Sequence, residues 1–537
     1  MRALYAFFAS ALASTCSSSK QPNVVYIVTP ARVTDDQDQM LGSSFPTVGG
    51  ATPLPKTKRL LVDEGATFTN AFIHVPICNP SRSTTLTGRY FHNLRTTNTS
   101  WAAMHVNMDA VHNRSFGLVF QRAGYATALL GKYVNAMPEG YVPQGWSAYL
   151  ANGGGDYFGP EFVARNAPGI PDGAYAAPKD AYTVSVVGNA SVAFLERHLS
   201  KSEPVLLYCA PKAVHEPFNP PPWYADHWDP SWPAKPVRGP AWNATFDARR
   251  RHAANVPTQP MITAAAAEVV DGVYRNRWRS LMAVDDLVEA LVTTVDARGA
   301  TDRTYFVFTS DHGFQLGQLN MLMDKRHVYD WDTRVPLVIK GPGVGRGTTV
   351  GALVTNVDLA PTLAELCGVG RAFDWDGRSV AGPLKGEADE TWRTSVLVEY
   401  YFNDANDKCV ADCAAPKTAY PGADVWCGDL EEGDACWGPA PNGGCVGACY
   451  PTENAGNNFL GLRKIDGGVD LLYAKYENGT QTAANLTFRS PTARELFDTA
   501  ADPWCTVNTY ASADGGARAA LDAELDAWFR CAGAACP

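Results

Sequence analysis

Cys78 lies in the run Cys78-Asn79-Pro80-Ser81-Arg82-Ser83-Thr84-Thr85-Leu86-Thr87-Gly88-Arg89, an isolated thiol with a guanidinium four residues on. A cation beside a thiol lowers its pKa and favours the nucleophilic thiolate, whereas an isolated cysteine is more often inert packing. Carboxylates cluster in Thr34-Asp35-Asp36-Gln37-Asp38 and in Ser310-Asp311-His312-Gly313. Consecutive acids in a loop are usually solvated or capping. Each of these pairs follows an apolar run, so the carboxylates could instead meet in a partly dry cleft. There they would repel one another unless a cation neutralised them, and a hard divalent ion, Ca²⁺ before Mg²⁺, is the economical solution. By position alone, a lone histidine such as His215 is more often a structural hydrogen-bonder, and Lys132 and Lys325 could be ordinary surface lysines.

These groups need a rigid frame. Residues 23–28 form a near-continuous apolar run of β-formers, as expected of a strand covered on both faces. Residues 205–208, 304–309 and 337–339 read the same way, with Pro336 starting the last strand or placing it at an edge. A helical pattern runs from 278 to 295. Strands alternating with helices predict an α/β sheet. Asp35-Asp36, His215 and Asp311-His312 each follow a predicted strand end, the edge where open α/β sheets bind ligands. Pro30, just past the first strand, should end its ladder pairing.

The pattern C-x-P-S-R followed by L-T-G-R, from Cys78 to Arg89, resembles the signature of the type I, formylglycine-dependent sulfatases. The segments around Asp35-Asp36, Gly124-Tyr125, Gly131-Lys132-Tyr133, His215, Ser310-Asp311-His312-Gly313 and Asp324-Lys325-Arg326 are similar to sulfatase motifs in the family's order. Residues 275–288, 314–318, 391–393 and 396–400 most resemble the N-acetylglucosamine-6-sulfatase branch, with the secreted arylsulfatases of algae a closely similar group. The chain departs from the family pattern in several places, Asn79 and Thr85 within the signature among them. Asn135 stands near where many members place a histidine, His312 replaces the commoner Asn, and residues 29–33 intervene before the first acidic pair.

The resemblance implies an alkaline-phosphatase-like fold, with a large mixed central sheet flanked by helices and a smaller C-terminal α+β subdomain. It implies a formylglycine (3-oxoalanine) made from Cys78 by a formylglycine-generating enzyme during maturation. Hydrated, that aldehyde is a geminal diol: one hydroxyl attacks sulfur, and the other later expels sulfate by regenerating the aldehyde. Asp35, Asp36, Asp311, His312 and the modified Cys78 would hold one Ca²⁺, and Arg82 would fix the diol. Lys132, His215 and Lys325 would clamp the sulfate, with His215 or Lys325 protonating the leaving oxygen. The substrate would be a sulfate monoester, the 6-O-sulfate of N-acetylglucosamine in a glycan or, alternatively, an aryl sulfate taken by a secreted enzyme of broad specificity. Two other classes are open: a phosphatase or phosphodiesterase on the same fold, which would need a Ser or Thr nucleophile and two transition metals, and a silent glycan-binding relative in which Cys78 stays a thiol.

Composition bounds the rest. Hydrophobic residues make up 46% of 537, enough for a sizeable core, and the formal net charge of −10 makes nucleic acid a poor partner. Residues 1–13, one basic residue and a short apolar run ending in a small-x-small site, predict a signal peptide; no later segment is apolar enough for a transmembrane span. Asn-x-Ser/Thr acceptors at Asn98, Asn113, Asn189, Asn243, Asn478 and Asn485 agree with a secretory, extracellular or lysosome-like destination. Of 13 cysteines, six crowd the stretch from Cys409 to Cys449, and Cys505, Cys531 and Cys536 lie near the C-terminus, which predicts disulfide-stapled loops. A zinc site there would lack paired C-x-x-C spacing and nearby histidines. The expected division is a catalytic domain over 22–400 and a Cys-rich subdomain over 401–537. Substrate choice would fall to rim loops: 220–233, the Cys-rich stretch, and Asn457-Asn458-Phe459.

Overall fold

The computed structural model describes residues 21–29, 50–96, 104–135, 140–201, 203–215, 218–370, 373–402, 408–411, 449–479 and 487–537. Its centre is a ten-stranded mixed sheet. In chain order the strands are β1 (Asn23–Thr29), β2 (Ala66–Phe68), β3 (Ala126–Lys132), β4 (Ala148–Asn152), β5 (Glu161–Arg165), β6 (Gly173–Ala176), β7 (Val205–Ala210), β8 (Thr304–Ser310), β9 (Leu337–Lys340) and β10 (Thr348–Val350). They lie in the order β10-β2-β9-β8-β1-β7-β3-β4-β5-β6. The five middle strands, β8 to β4, run parallel, and β9 and β5 flank them antiparallel.

The middle strands are largely apolar because both faces are covered: every residue of β1, β3, β7 and β8 is buried, with polar side chains mainly at the strand ends. Successive side chains alternate between the faces. Val24, Tyr26, Val28, Leu206, Tyr208 and Val307 belong to one core layer, and Val25, Ile27, Leu207, Cys209, Phe306 and Phe308 to the other. β1 pairs with β8 as far as Thr29↔Ser310, and Pro30, expected to end the pairing, lies outside the described residues. Pro336 precedes β9, which lies inside the sheet between β8 and β2.

Helices α1 (Cys78–Thr87), α2 (Thr183–Leu199) and α3 (Ala264–Ala297) matter most for the site. α2 and the second half of α3 cover the second face, through Val187, Phe194 and Leu195 and through Leu281, Val284, Val288, Leu291 and Val295 at helical spacing. α3 begins at Ala264, well before the predicted 278, with the Thr263 hydroxyl accepting from the Ala266 N–H. Its first half runs past the sheet and packs Val270, Val273, Tyr274 and Trp278 on Phe218, Phe314, Leu322 and Met323.

A second, antiparallel sheet joins β11 (Ser395–Tyr400), β12 (Asn458–Asp466), β13 (Val469–Glu477) and β14 (Ala493–Asp498) in that order. Helix α4 (Gly515–Arg530) buries Leu521, Leu525 and Trp528, and the Trp528 indole donates to the Ser395 hydroxyl at 3.0 Å. The architecture is the expected one, a large mixed sheet with flanking helices and a C-terminal sheet subdomain. Cys531 and Cys536 form a disulfide. Cys505 departs from the stapling expectation: it is a buried free thiol, and burial pushes its pKa up. Strands 408–411 and 449–453 pair, but the Cys-rich stretch between them and the leader at 1–13 lie outside the described residues.

Candidate active site

Helix α1 is almost wholly buried although rich in Ser and Thr. Its hydroxyls are satisfied locally: Thr84 and Thr85 donate to the Ser81 carbonyl at 2.8 and 3.0 Å, and Thr87 donates to the Ser83 carbonyl at 2.7 Å. The Asn356 amide then donates to the Thr84 and Thr85 hydroxyls at 3.0 and 2.9 Å. Pro80 sits in the first turn, where its missing N–H costs nothing, and Gly88 ends the helix at φ 63°. Cys78 is therefore the first helical residue, at the positive end of the helix dipole, with Arg82 one turn on and on the same side.

The parallel strands bring the other groups to it. Lys132 is the last residue of β3, His215 follows β7, and Asp311-His312 follow β8; the register sets Gly131 beside Ala210 and Thr29 beside Ser310. Gly131 has φ 111°, and a Cβ there would meet the Ala210 carbonyl oxygen at 2.0 Å, so the β3–β7 contact that aims Lys132 requires glycine. Arg82 ties three elements together, its Nε donating to Asp311 Oδ2 at 2.8 Å and its Nη1 to the Lys132 carbonyl at 2.7 Å. The Ser81 hydroxyl donates to the Asp311 carbonyl. Cys78 Sγ lies 3.1 Å from His312 Nε2, and His215 is hydrogen-bonded to the same sulfur. His312 Nδ1 is 2.7 Å from the Gly313 carbonyl, to which it donates, so Nε2 is the nitrogen turned to the site.

Lys325 arrives on the loop after β8. Gln315 donates its N–H to the Asp324 carbonyl at 2.7 Å, and Asp324 and Arg326, on either side of the lysine, have φ of 138° and 97°. Two flanking residues in the left-handed region are backbone strain of the kind found where a side chain must be aimed. The Lys325 ammonium lies 5.8 Å from the Phe314 ring centre, and the Arg277 guanidinium from α3 lies 4.5 Å from it.

The charges shift one another. Burial alone would raise the Cys78 thiol, but Lys132, His312, Lys325 and His215 outweigh it and hold the thiol well below its ordinary range. Burial likewise opposes ionisation of Asp311 and His312. The nearby His312 and Arg82 cations nevertheless lower the Asp311 carboxyl, and Asp311 with Cys78 raises the His312 imidazole. A nucleophile at position 78 is thus surrounded by positive potential.

Seven of the nine predicted site residues, Cys78, Arg82, Lys132, His215, Asp311, His312 and Lys325, surround one point; Asp35 and Asp36 lie outside the described residues. One donor atom each from Cys78, Asp311 and His312 lies within 4.8 Å of the others. As a thiol, an imidazole and a carboxylate, this set would suit a softer ion than Ca²⁺. With oxygen in place of sulfur at position 78, and with Asp35 and Asp36 added, it becomes oxygen-rich and fits a hard divalent cation.

Sequence reasoning missed the supports. Asn356 carries a signal, since the Thr355–Asp358 capping box just around it marks a helix start. Tyr157 and Lys212 carry none: the Tyr157 hydroxyl donates to the His215 carbonyl at 2.6 Å, and the Lys212 ammonium lies 4.8 Å from the Tyr157 ring centre. Among the rim candidates, Trp228 and Trp232 pack on buried Trp278, and Phe459 is buried against Tyr400, so these aromatics are packing. Asn457 is also buried and donates to the Arg326 carbonyl at 3.0 Å; Asn135 is exposed.

Comparison with known proteins gives the same picture. N-acetylglucosamine-6-sulfatase of Capra hircus is 31% identical over 411 residues, 74% of this chain and 69% of the relative. The Homo sapiens protein of that name is 31% identical over 406 residues, covering 73% and 69%. An arylsulfatase of Volvox carteri is 25% identical over 97% of this chain and 77% of its own. A solved structure described in complex with its substrate D-glucosamine-2-N,6-O-disulfate superposes with a TM-score of 0.65 at 20% identity, covering 94% of this chain and 96% of its own. A phosphonate monoester hydrolase of Agrobacterium radiobacter reaches 0.61 at 20% identity, covering 94% of each chain, so the fold alone does not select the ester. The C-terminal model of N-sulphoglucosamine sulphohydrolase matches residues 319–420. The sulfatase family model matches residues 22–369, well over half the chain and every described residue around Cys78, so the chain belongs to the sulfatase family and is a sulfuric ester hydrolase.

Proposed function

We propose that the enzyme removes the 6-O-sulfate of N-acetylglucosamine in sulfated glycans, using a formylglycine made from Cys78 by a formylglycine-generating enzyme and one bound Ca²⁺. The observation that carries this reading is the gathering of Lys132, His215 and Lys325 on the same Cys78 that Arg82, Asp311 and His312 surround. Asp35, Asp36, Asp311, His312 and the oxygen of the modified residue would hold the ion. When bound, Ca²⁺ would supply Lewis-acid stabilisation of negative charge on oxygen. Formylglycine would supply an oxygen nucleophile that can afterwards shed sulfate, which an ordinary serine or thiol cannot do.

The chain's own residues do the rest. Arg82, fixed by Asp311 and the Lys132 carbonyl, orients the side chain at position 78. Lys132 and Lys325, both nearly buried, bind sulfate oxygens as desolvated cations, where charge-assisted contacts are strongest. His215, less buried and held through its own backbone by Tyr157, gives a proton to the departing sugar oxygen. The identity with N-acetylglucosamine-6-sulfatases supports the sugar. The leader pattern at 1–13 and the Asn-x-Ser/Thr acceptors support a secretory, extracellular or lysosome-like destination, and no described helix is long and apolar enough to cross a membrane.

A second reading, a secreted arylsulfatase of broad specificity, is favoured by the longer match to the Volvox carteri enzyme. Kinetics on N-acetylglucosamine-6-sulfate and on a small aryl sulfate separate the two, and a clear preference for the aryl ester overturns the first. Protein from a eukaryotic secretory host should show an aldehyde in the mass of the Cys78 peptide. Cys78→Ala should abolish turnover with the fold intact, and full activity in that variant would sink the mechanism. Chelation of Ca²⁺ should lower kcat, and Asp311→Ala should lower metal retention as well as rate.

A further inference from the structure

Asn189 is one of the six Asn-x-Ser/Thr acceptors and stands on α2. Asn98 and Asn485 lie outside the described residues, and Asn243 is half-buried with its Oδ1 accepting from the Ile262 N–H at 2.8 Å. Asn113, Asn189 and Asn478 are exposed. Asn189 differs in what adjoins it: it lines a groove of about 180 Å³ between α2 and α3, bordered by Val192, Leu287, Ala290, Asp286 and the indole of Trp223. Trp223 is 55% exposed, although Tyr182 meets it edge-on at 5.8 Å between ring centres. An exposed indole and an apolar floor with a carboxylate at the rim make a surface suited to a pyranose, whose C–H face is apolar and whose hydroxyls are polar.

We propose that Asn189 carries an N-linked glycan whose first N-acetylglucosamine lies in this groove against Trp223. The proposal rests on the secretory reading above. Attachment forms a bond from Asn189 Nδ2 to the anomeric carbon of an oligosaccharide, breaks that carbon's bond to a lipid-diphosphate donor, and releases a proton from the amide. It precedes folding, because in the folded chain the Ser191 hydroxyl of the acceptor motif is buried and donates to the Val187 carbonyl at 2.7 Å. The groove and the acceptor share one helix face, so the sugar is tethered to its binding surface and needs no affinity as a free ligand.

Glycopeptide mapping of secreted protein should find Asn189 occupied. An endoglycosidase that leaves one N-acetylglucosamine should leave Tm unchanged, and complete removal by a peptide N-glycosidase should lower it by roughly 1–2 °C. Asn189→Gln and Trp223→Ala should each lower Tm by the same amount, and the double variant by no more than either alone. Equal Tm after both enzyme treatments, or additive losses in the double variant, overturns the contact. Glycan on Asn113 or Asn478 with bare Asn189 overturns the proposal alone; no glycan on any of the three overturns the secretory reading with it.

Discussion

At the scale of single residues, the assignment of His215 as proton donor makes a prediction that a structural histidine would not satisfy. A sugar alcohol is a poor leaving group and needs its oxygen protonated as the bond to sulfur breaks, whereas a nitrophenolate leaves unaided. His215→Gln should therefore lower kcat on N-acetylglucosamine-6-sulfate by about 10²–10⁴ and far less on a nitrophenyl sulfate. Equal losses on both substrates would assign His215 to binding or folding instead. Cys78, Arg82, Lys132, His215, Asp311 and His312 were legible in the sequence because each lies in a short motif near a strand end or at the start of α1, and Lys325 because it lies in a short motif of its own on the loop after β8. Tyr157 was not: it acts through the carbonyl of His215, 58 residues away, and such a contact leaves no local pattern. Asn356 is marked by the capping box around it, but nothing local shows its reach to α1, 272 residues away.

At the scale of elements, the second sheet is joined to the core by a buried knot of His74, His92 and Glu399. Glu399, at the end of β11, lies 2.7 Å from His74 Nε2 and 3.2 Å from His92 Nδ1, and accepts from the His92 N–H at 2.7 Å and from the Tyr401 hydroxyl. His74 Nδ1 and His92 Nε2 are used by the Leu397 and Cys531 carbonyls, so all four ring nitrogens have protein partners. Burial would raise the Glu399 carboxyl, but His92 and His74 hold it well below its ordinary range; burial would lower His92, but Glu399 raises it, with Asp376 adding to the effect. The depressed acid stabilises the fold fully above about 4.3, its unfolded value, and loses this as pH falls through its folded value. The raised base stabilises it fully below about 6.5 and loses this as pH rises through its folded value. Glu399→Gln should therefore cost about 3–5 kcal/mol, most between about pH 4.5 and 6.5, read from denaturant midpoints; a cost that is flat across pH 4 to 9 would contradict the assignment. None of this was readable from sequence, since it joins residues over 300 apart. β1, β7 and β8 were, because double burial writes a continuous apolar run of β-formers; β3 and β4, equally central but built partly from Ala, were not predicted, and β5 and β6 near the sheet edge, part-exposed and short, have no such run. The first half of α3 escaped notice because it packs on a loop rather than on the sheet.

At the scale of the whole molecule, two charges oppose each other. The chain carries a net −10, yet among the described residues the site gathers Arg82, Lys132, Lys325 and the histidines around Cys78 and the buried Asp311 carboxylate. The buried cations act over a few ångströms and are little screened, whereas the net charge acts at long range and is screened within about 8 Å at 0.15 M salt. A single sulfated sugar feels mainly the site. A long polysulfated chain must also bring its other anions over an acidic surface, which slows encounter at low salt. Raising salt from about 0.02 to 0.15 M at pH 7 should therefore increase kcat/KM for a polysulfated glycan while changing it little for N-acetylglucosamine-6-sulfate. The opposite trend, a loss of kcat/KM for the polymer with added salt, would mean that a basic track leads to the mouth of the site, and would make the long chain rather than its terminal sugar the natural substrate.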